Sequence, residues 1–155
     1  MILRTALPET SNPRLLDLLA GAARELVDRL KADATGVSRV IGDVLILVAE
    51  SAPEGRTLQM GQGYLVPDYP ATQAVLVTGT PRALTIADEG VDEEEARVLD
   101  ELGFASLLML RLQIDGVTWA LVEVYRAEPV AFDEEDMRVA TEILARTSAR
   151  AGRAS

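Results

Sequence analysis

The chain of 155 residues contains no cysteine and no histidine. Without cysteine there can be no disulfide, no thiolate metal site, no thiol catalysis and no chromophore held by a thioether bond. Without histidine the commonest general base, the commonest metal ligand and the usual axial ligand of haem are gone. Positive charge is also scarce: 15 Lys and Arg face 25 Asp and Glu, a formal net charge of −10. Phosphate backbones are bound by neutralising them with Lys and Arg, so nucleic acid is not an expected partner. No run approaches the ~20 apolar residues of a membrane helix, and Met1-Ile2-Leu3-Arg4 does not open a signal peptide. The expectation is a soluble, cytoplasmic protein with no membrane partner. With 48% hydrophobic residues, the length suits one domain with a substantial core.

Asn12-Pro13 sets a capping side chain before a proline in the first helical turn, and a helix is expected from there to Lys31. Its apolar stripe, which includes Leu15, Leu19, Ala22, Leu26 and Leu30, is wider than one core-facing surface needs. A second partner is therefore expected, either more of the same domain or another subunit. Ala34-Thr35-Gly36 should end this helix. Two short strands follow, Val37–Ile41 and Val44–Ala49, around Gly42-Asp43. A weaker strand is expected over 57–60 and 64–66, interrupted by Gly61 and Gly63. A helix then runs from the Pro67–Pro70 segment to Thr78-Gly79, a strand spans Ala83–Ala87, and Asp92 opens a helix through Leu102 that Gly103 stops in the left-handed region. The last helix is expected from Asp133 to about Arg150, with 151–155 as a tail or linker and 1–12 as an N-terminal extension to a single domain over 13–150. The tail mildly favours a piece of a longer protein. This order of elements predicts an α+β domain, an antiparallel sheet of about six strands with helices on its faces.

The central hairpin, 104–126, is the most informative stretch. Asp115-Gly116 between two apolar runs is a hairpin turn, since both turn residues need positive φ. Counting outward pairs Ile114 with Val117, Leu112 with Trp119, Leu110 with Leu121, Leu108 with Glu123 and Ser106 with Tyr125 on one face. Both faces are largely apolar, so the sheet should be covered on both sides. Ser106, Glu123 and Tyr125 then form a polar edge to an oily surface, where a small ligand would be oriented.

Glu123 has two readings. It is either an edge residue reaching solvent or pairing with an Arg such as Arg126, or a buried carboxylate that needs a partner or a raised pKa. The acidic runs Asp92–Glu95 and Asp133–Asp136 resemble metal clusters in composition but read as helix starts. Asp92 can cap with Glu95 three residues on, and Phe132 with Met137 forms a hydrophobic staple. Gly61-Gln62-Gly63 lacks the third glycine and following helix of a dinucleotide site and reads as a bulge or bend. Trp119 and Phe104 are explained by packing alone. No pair of carboxylates has a separation fixed by sequence, and no enzyme is expected.

Several segments together resemble a GAF domain, a sensory or dimerising module common in bacterial signalling proteins. They are the helix from Pro70 to the Thr78-Gly79-Thr80-Pro81 turn, Leu102–Leu112, the Asp-Gly hairpin with Trp119–Val124, and Phe132–Asp136 opening the final helix. Arg111 and Ala120 depart from the family's frequent Pro and Gly. The resemblance implies a regulatory sensory domain that binds a small molecule and passes the signal through N- and C-terminal helices packed together in a homodimer, with an output domain in a longer protein. The alternative is a ligand-free dimerisation module of a larger signalling protein.

The resemblance also implies a pocket over Ser106, Leu108, Leu110, Trp119, Leu121 and Glu123, covered by 64–76 and 86–102. Tyr64, Tyr69, Thr72, Leu76, Ile86 and Phe104 complete it. The implied interface uses Leu15, Leu19, Ala22, Leu26, Leu30, Ile143 and Leu144. The family's covalent bilins, haem and sulfoxide-reducing members depend on Cys or His, so neither a cofactor nor a metal is expected. The Asn-Lys pair of its cyclic-nucleotide binders is absent too, although Phe132 and Asp136 are present, which leaves a cyclic nucleotide possible but unsupported.

Overall fold

The structure is a computed structural model describing residues 12–53 and 63–154, with residues 63, 64, 153 and 154 described by their backbone alone. The elements run α1 (Pro13–Leu30), β1 (Ala34–Ile41), β2 (Val44–Ser51), β3 (Gly63–Leu65), a single 3-10 turn (Val66–Asp68), α2 (Pro70–Thr78), β4 (Arg82–Thr85), α3 (Glu93–Glu101), β5 (Ser106–Ile114), β6 (Val117–Arg126) and α4 (Glu134–Ala154). The strands form one six-stranded sheet in the order β3-β2-β1-β6-β5-β4, every neighbouring pair antiparallel. This is the α+β architecture expected. Residues 57–60, proposed as part of a strand, and Gly61-Gln62 of the glycine pair lie outside the described residues.

Asn12 Oδ1 accepts from the Arg14 amide at 3.0 Å, which starts α1 as the Asn-Pro pair predicts. The helix stops three residues before Ala34, at Lys31, which takes the left-handed conformation (φ 51°). Ala34-Thr35-Gly36 does not end the helix but already belongs to β1. The residues expected as a tail are also placed differently, because α4 continues to Ala154 and Ala151 is fully buried.

Two cores lie on the two faces of the sheet. On one, α1 and α4 pack side by side over Val37, Leu108, Leu110, Leu112, Trp119, Val122 and Val124. On the other, α2 and α3 cover Leu45, Leu47, Leu107, Met109, Leu121 and Tyr125. The second apolar surface of α1 is thus satisfied within the domain. Leu15, Leu19, Ala22, Leu26, Leu30, Ile143 and Leu144, expected at a subunit interface, are 0 to 7% exposed and belong to this single-chain core. An ion pair between Arg146 and Glu25 at 2.9 Å closes the outer seam between α4 and α1.

The hairpin turn is as expected, with Asp115 at φ 52° and Gly116 at φ 78°. Its register is not. Ile114 pairs with Val117 and Gln113 with Thr118, but Leu112 then meets Ala120, because Trp119 is an extra residue in β6. A one-residue slip sends every following side chain to the other face. Glu123 therefore lies opposite Met109 rather than Leu108, and Tyr125 opposite Leu107 rather than Ser106. Arg39 holds the bulge: its guanidinium lies 4.7 Å over the Trp119 ring and donates to the Trp119 carbonyl at 3.1 Å. A second bulge in β2, at Val48, moves Ala49 to the α1 side while Leu45 and Leu47 face α2 and α3.

Candidate functional site

The Trp119 bulge delivers Leu121, Glu123 and Tyr125 to the face that α2 and α3 cover, and there they line a cavity of about 70 Å³. The floor is Ser38, Leu45, Leu47, Leu107, Met109 and Leu121 from the sheet, and the cover is Tyr69, Thr72, Val98, Leu99 and Leu102 with Glu95. The walls are mostly apolar, and none of the described lining residues is cationic. Gly36 pairs with Glu123 across β1 and β6, so the residue directly opposite the carboxyl group has no side chain.

Glu123 is half-buried, with its side chain facing the cavity. Burial pushes its pKa up to about 7 against the pull of a hydrogen bond from Tyr125, and the nearby Glu95 carboxylate adds to the rise. It makes no pair with Arg126, which corrects that reading of the sequence. Arg126 is bound elsewhere, to the carbonyls of Leu30 at 2.7 Å and Ala131 at 3.1 Å and to Asp136 at 3.4 Å, with its guanidinium 4.0 Å over the Phe132 ring. This arginine fastens the end of α1 to the start of α4.

In the sequence, Glu95 reads only as part of a helix start. The Asp92 part of that reading holds, since Asp92 Oδ2 accepts from the Glu95 amide at 3.0 Å and caps α3. The Glu95 side chain leaves its own helix. Its Oε1 accepts from the amides of Ala71 at 3.0 Å and Thr72 at 3.4 Å, which are free donors in the first turn of α2. One carboxylate thus ties the two covering helices together. Burial raises its pKa and Asp92 adds to that, against the two amide bonds. Tyr69 is likewise raised, first by burial and then by Glu94 and other acids that include Glu123.

Of the proposed pocket residues, the structure brings Tyr69, Thr72, Leu121 and Glu123 to the cavity. Ser106, Leu108, Leu110 and Trp119 belong to the other face, a consequence of the bulge, and Ser106 Oγ donates to the Glu128 carbonyl at 3.0 Å. Phe104 stands behind the lining, stacked on Tyr125 with ring centroids 4.8 Å apart. Leu76 packs beside the cavity core without lining it, and Ile86 is 39% exposed because β4 ends at Thr85. The side chain of Tyr64 lies outside the described residues. Sequence reasoning places 86–102 in the cover but misses Ser38, Leu45, Leu47, Glu95, Val98, Leu99, Leu102, Leu107 and Met109 as individual lining residues. The sheet residues among them were hidden by the bulges, whereas Glu95 carried a signal in its apolar neighbours Val98 and Leu99.

The acidic helix starts hold no metal arrangement: among the described residues there is no group of three or more carboxylates able to hold an ion. Asp133 Oδ1 accepts from the Asp136 amide at 2.8 Å and Asp136 Oδ2 from the Asp133 amide at 2.9 Å, a reciprocal cap. Among the described residues no helix is long and apolar enough to cross a membrane.

The sheet thus carries paired terminal helices on one face and a covered cavity on the other. Residues 14–151 match the GAF domain family, and the chain belongs to it. Among curated proteins nothing matches. Among solved structures, the blue-light absorbing form of the Thermosynechococcus elongatus PixJ GAF domain is similar, with a TM-score of 0.80 and 22% identity over 96% of this chain and 90% of that one. The phycoerythrobilin-bound GAF domain of a cyanobacterial phytochrome matches with a TM-score of 0.79 and 17% identity, over 94% of this chain and 89% of that one. A phycocyanobilin-bound GAF domain of a cyanobacterial phytochrome follows at 0.78 and 18%, covering 97% of each chain. The fold is shared with all three.

These structures correct the expectation that no cofactor belongs with this chain. Two of them hold a bilin on the same fold. The missing cysteine excludes one covalent bond, the thioether, and does not exclude a cofactor from the fold.

Proposed function

We propose that the domain is a regulatory sensor that holds a small molecule without a covalent bond in the cavity between the sheet and α2 and α3, and that it performs no catalysis. The observation that carries this reading is the cavity itself: apolar walls with a carboxyl group facing into them, which is how ligand sites combine affinity with orientation. The bilins of the similar structures enter this reading only as non-covalent guests. At about 70 Å³ the cavity is far below the ~300–1,000 Å³ of sites for drug-sized ligands, so a large guest requires α2 and α3 to move outward.

Occupancy reaches the terminal helices through β6, whose Glu123 faces the cavity while Val122 and Val124 pack under α1 and α4. A ligand switches the domain only as far as its affinity differs between two arrangements. A homodimer formed through the terminal helices would use their outer faces, where Glu25 and Arg146 lie, since the leucines between them are occupied.

Native mass spectrometry of the purified protein tests the proposal by reporting bound mass and oligomeric state together. The expected result is a small bound mass that is absent from Glu123→Leu, with the variant folded. A bound mass retained by Glu123→Leu would make Glu123 a structural residue.

A further inference from the structure

Three features narrow what the cavity accepts. Its polar lining consists of Ser38, Tyr69, Thr72, Glu95, Glu123 and Tyr125, in which the only full charges available are negative. Glu95 is 8% exposed and spends one oxygen, Oε1, on both α2 amides, so Oε2 has no partner among the described residues. Glu123 has a hydrogen bond from Tyr125 and, as its charged neighbour, another carboxylate. Two carboxyl groups that repel each other, with no cation among the described lining residues and the exposed Arg82 acting on Glu95 only from outside it, make a site that an entering cation would complete, because a buried charge is stable only when paired and hydrogen-bonded.

We infer that the ligand is a small organic cation, a protonated amine or amidine with a short apolar body, held between Glu123 and Glu95. This rests on the reading of the cavity as a ligand site. A metal ion fits less well. Hard cations take six or more oxygen ligands, whereas most of this wall is Leu, Val and Met. An amine or amidine needs only two or three acceptors around its N–H groups, which Glu95 Oε2, Glu123 and a phenol oxygen provide, and it uses the apolar wall for its carbon atoms. Size is limited as well. A cavity of about 150 Å³ holds benzene, so 70 Å³ suits a molecule of roughly three to five heavy atoms unless the cover opens. An opening has an evident route: a cation drawn to Glu95 competes with the Ala71 and Thr72 amides for the carboxylate and weakens the tie between α3 and α2.

The test compares four probes of similar shape, n-propylammonium, acetamidinium, neutral propionamide and anionic propionate, together with Mn²⁺, by amide chemical-shift titration of the whole chain. The two organic cations are expected to shift the amides of Glu123, Ala71 and Thr72 saturably, with propionamide weaker and propionate without effect. Glu123→Gln keeps the shape and removes the charge; it should weaken the organic cations roughly tenfold or more and leave propionamide nearly unchanged. Propionamide or propionate binding as tightly as the cations would overturn the inference and leave the ligand site standing. Mn²⁺ binding at these amides more tightly than either organic cation would also overturn it, in favour of a metal. If no probe shifts these amides, both the inference and the ligand-site reading fall. Unchanged cation affinity in Glu123→Gln would overturn the inference alone.

Discussion

Glu123 is costly to keep charged, and the cost has a sign. Its pKa rises from 4.5 to about 7 on folding, so between those values the folded state holds a proton that the unfolded chain has released. Stability is therefore fully present below pH 4.5 and is lost as pH rises through about 7. Glu123→Gln, neutral throughout, should match the wild type at pH 4.5 and exceed it at pH 8. After allowance for water reaching the cavity, the gain should be on the order of 1–2 kcal/mol. Urea unfolding of both proteins at the two pH values measures it, and an equal effect at both would show that the charge is not the cause. The polarity of this residue among apolar neighbours was legible in the sequence. Its facing was not, because nothing in the letters around Trp119 marks that residue as the one without a cross-strand partner.

At the scale of elements, the helix starts were the clearest part of the sequence. Asn12-Pro13, Asp92 and Asp133 each cap the helix they precede, since a short acceptor before an apolar period has few other uses. The same logic concealed Glu95, because an acid in a first turn satisfies the helix dipole wherever its side chain points. Its long-range bonds make a specific demand. Glu95→Ala should leave α3 folded and free the first turn of α2, so that the Ala71 and Thr72 amides exchange with solvent at least ~10-fold faster while those of β5 and β6 do not. Native-state hydrogen exchange reads this directly. Uniform acceleration across the chain would instead make Glu95 a contributor to global stability alone. Strand boundaries were legible to within a few residues, and strand faces were not, because pairing parity depends on the two bulges that the alternation of apolar residues does not disclose.

For the molecule as a whole, the sheet divides the interior into a dense side under α1 and α4 and a hollow side under α2 and α3. Leu19 stands on the dense side, fully buried, and truncation there leaves a void that packed neighbours cannot fill. Leu19→Ala should cost about 2–5 kcal/mol, and Leu19→Glu should prevent folding. Chemical denaturation with size-exclusion chromatography separates this from an interface role: a folded, stable monomer of Leu19→Glu would mean that the leucine had served a partner. The wide stripe of α1 was visible in the sequence. That α4 supplies its second partner was not, since an apolar face carries no record of whether the surface it meets belongs to the same chain.

The bulge at Trp119 has a consequence for how such a strand can change over time. A substitution at one position of β6 alters one contact, on one side of the sheet. The loss or gain of one residue between Gly116 and Glu123 would exchange the lining of the hollow with the filling of the dense core along the rest of the strand, placing a carboxylate among the leucines of α1 and α4. The length of this strand is accordingly under tighter constraint than its composition, and a relative that differs here by a single residue would have its cavity rebuilt from the opposite set of side chains.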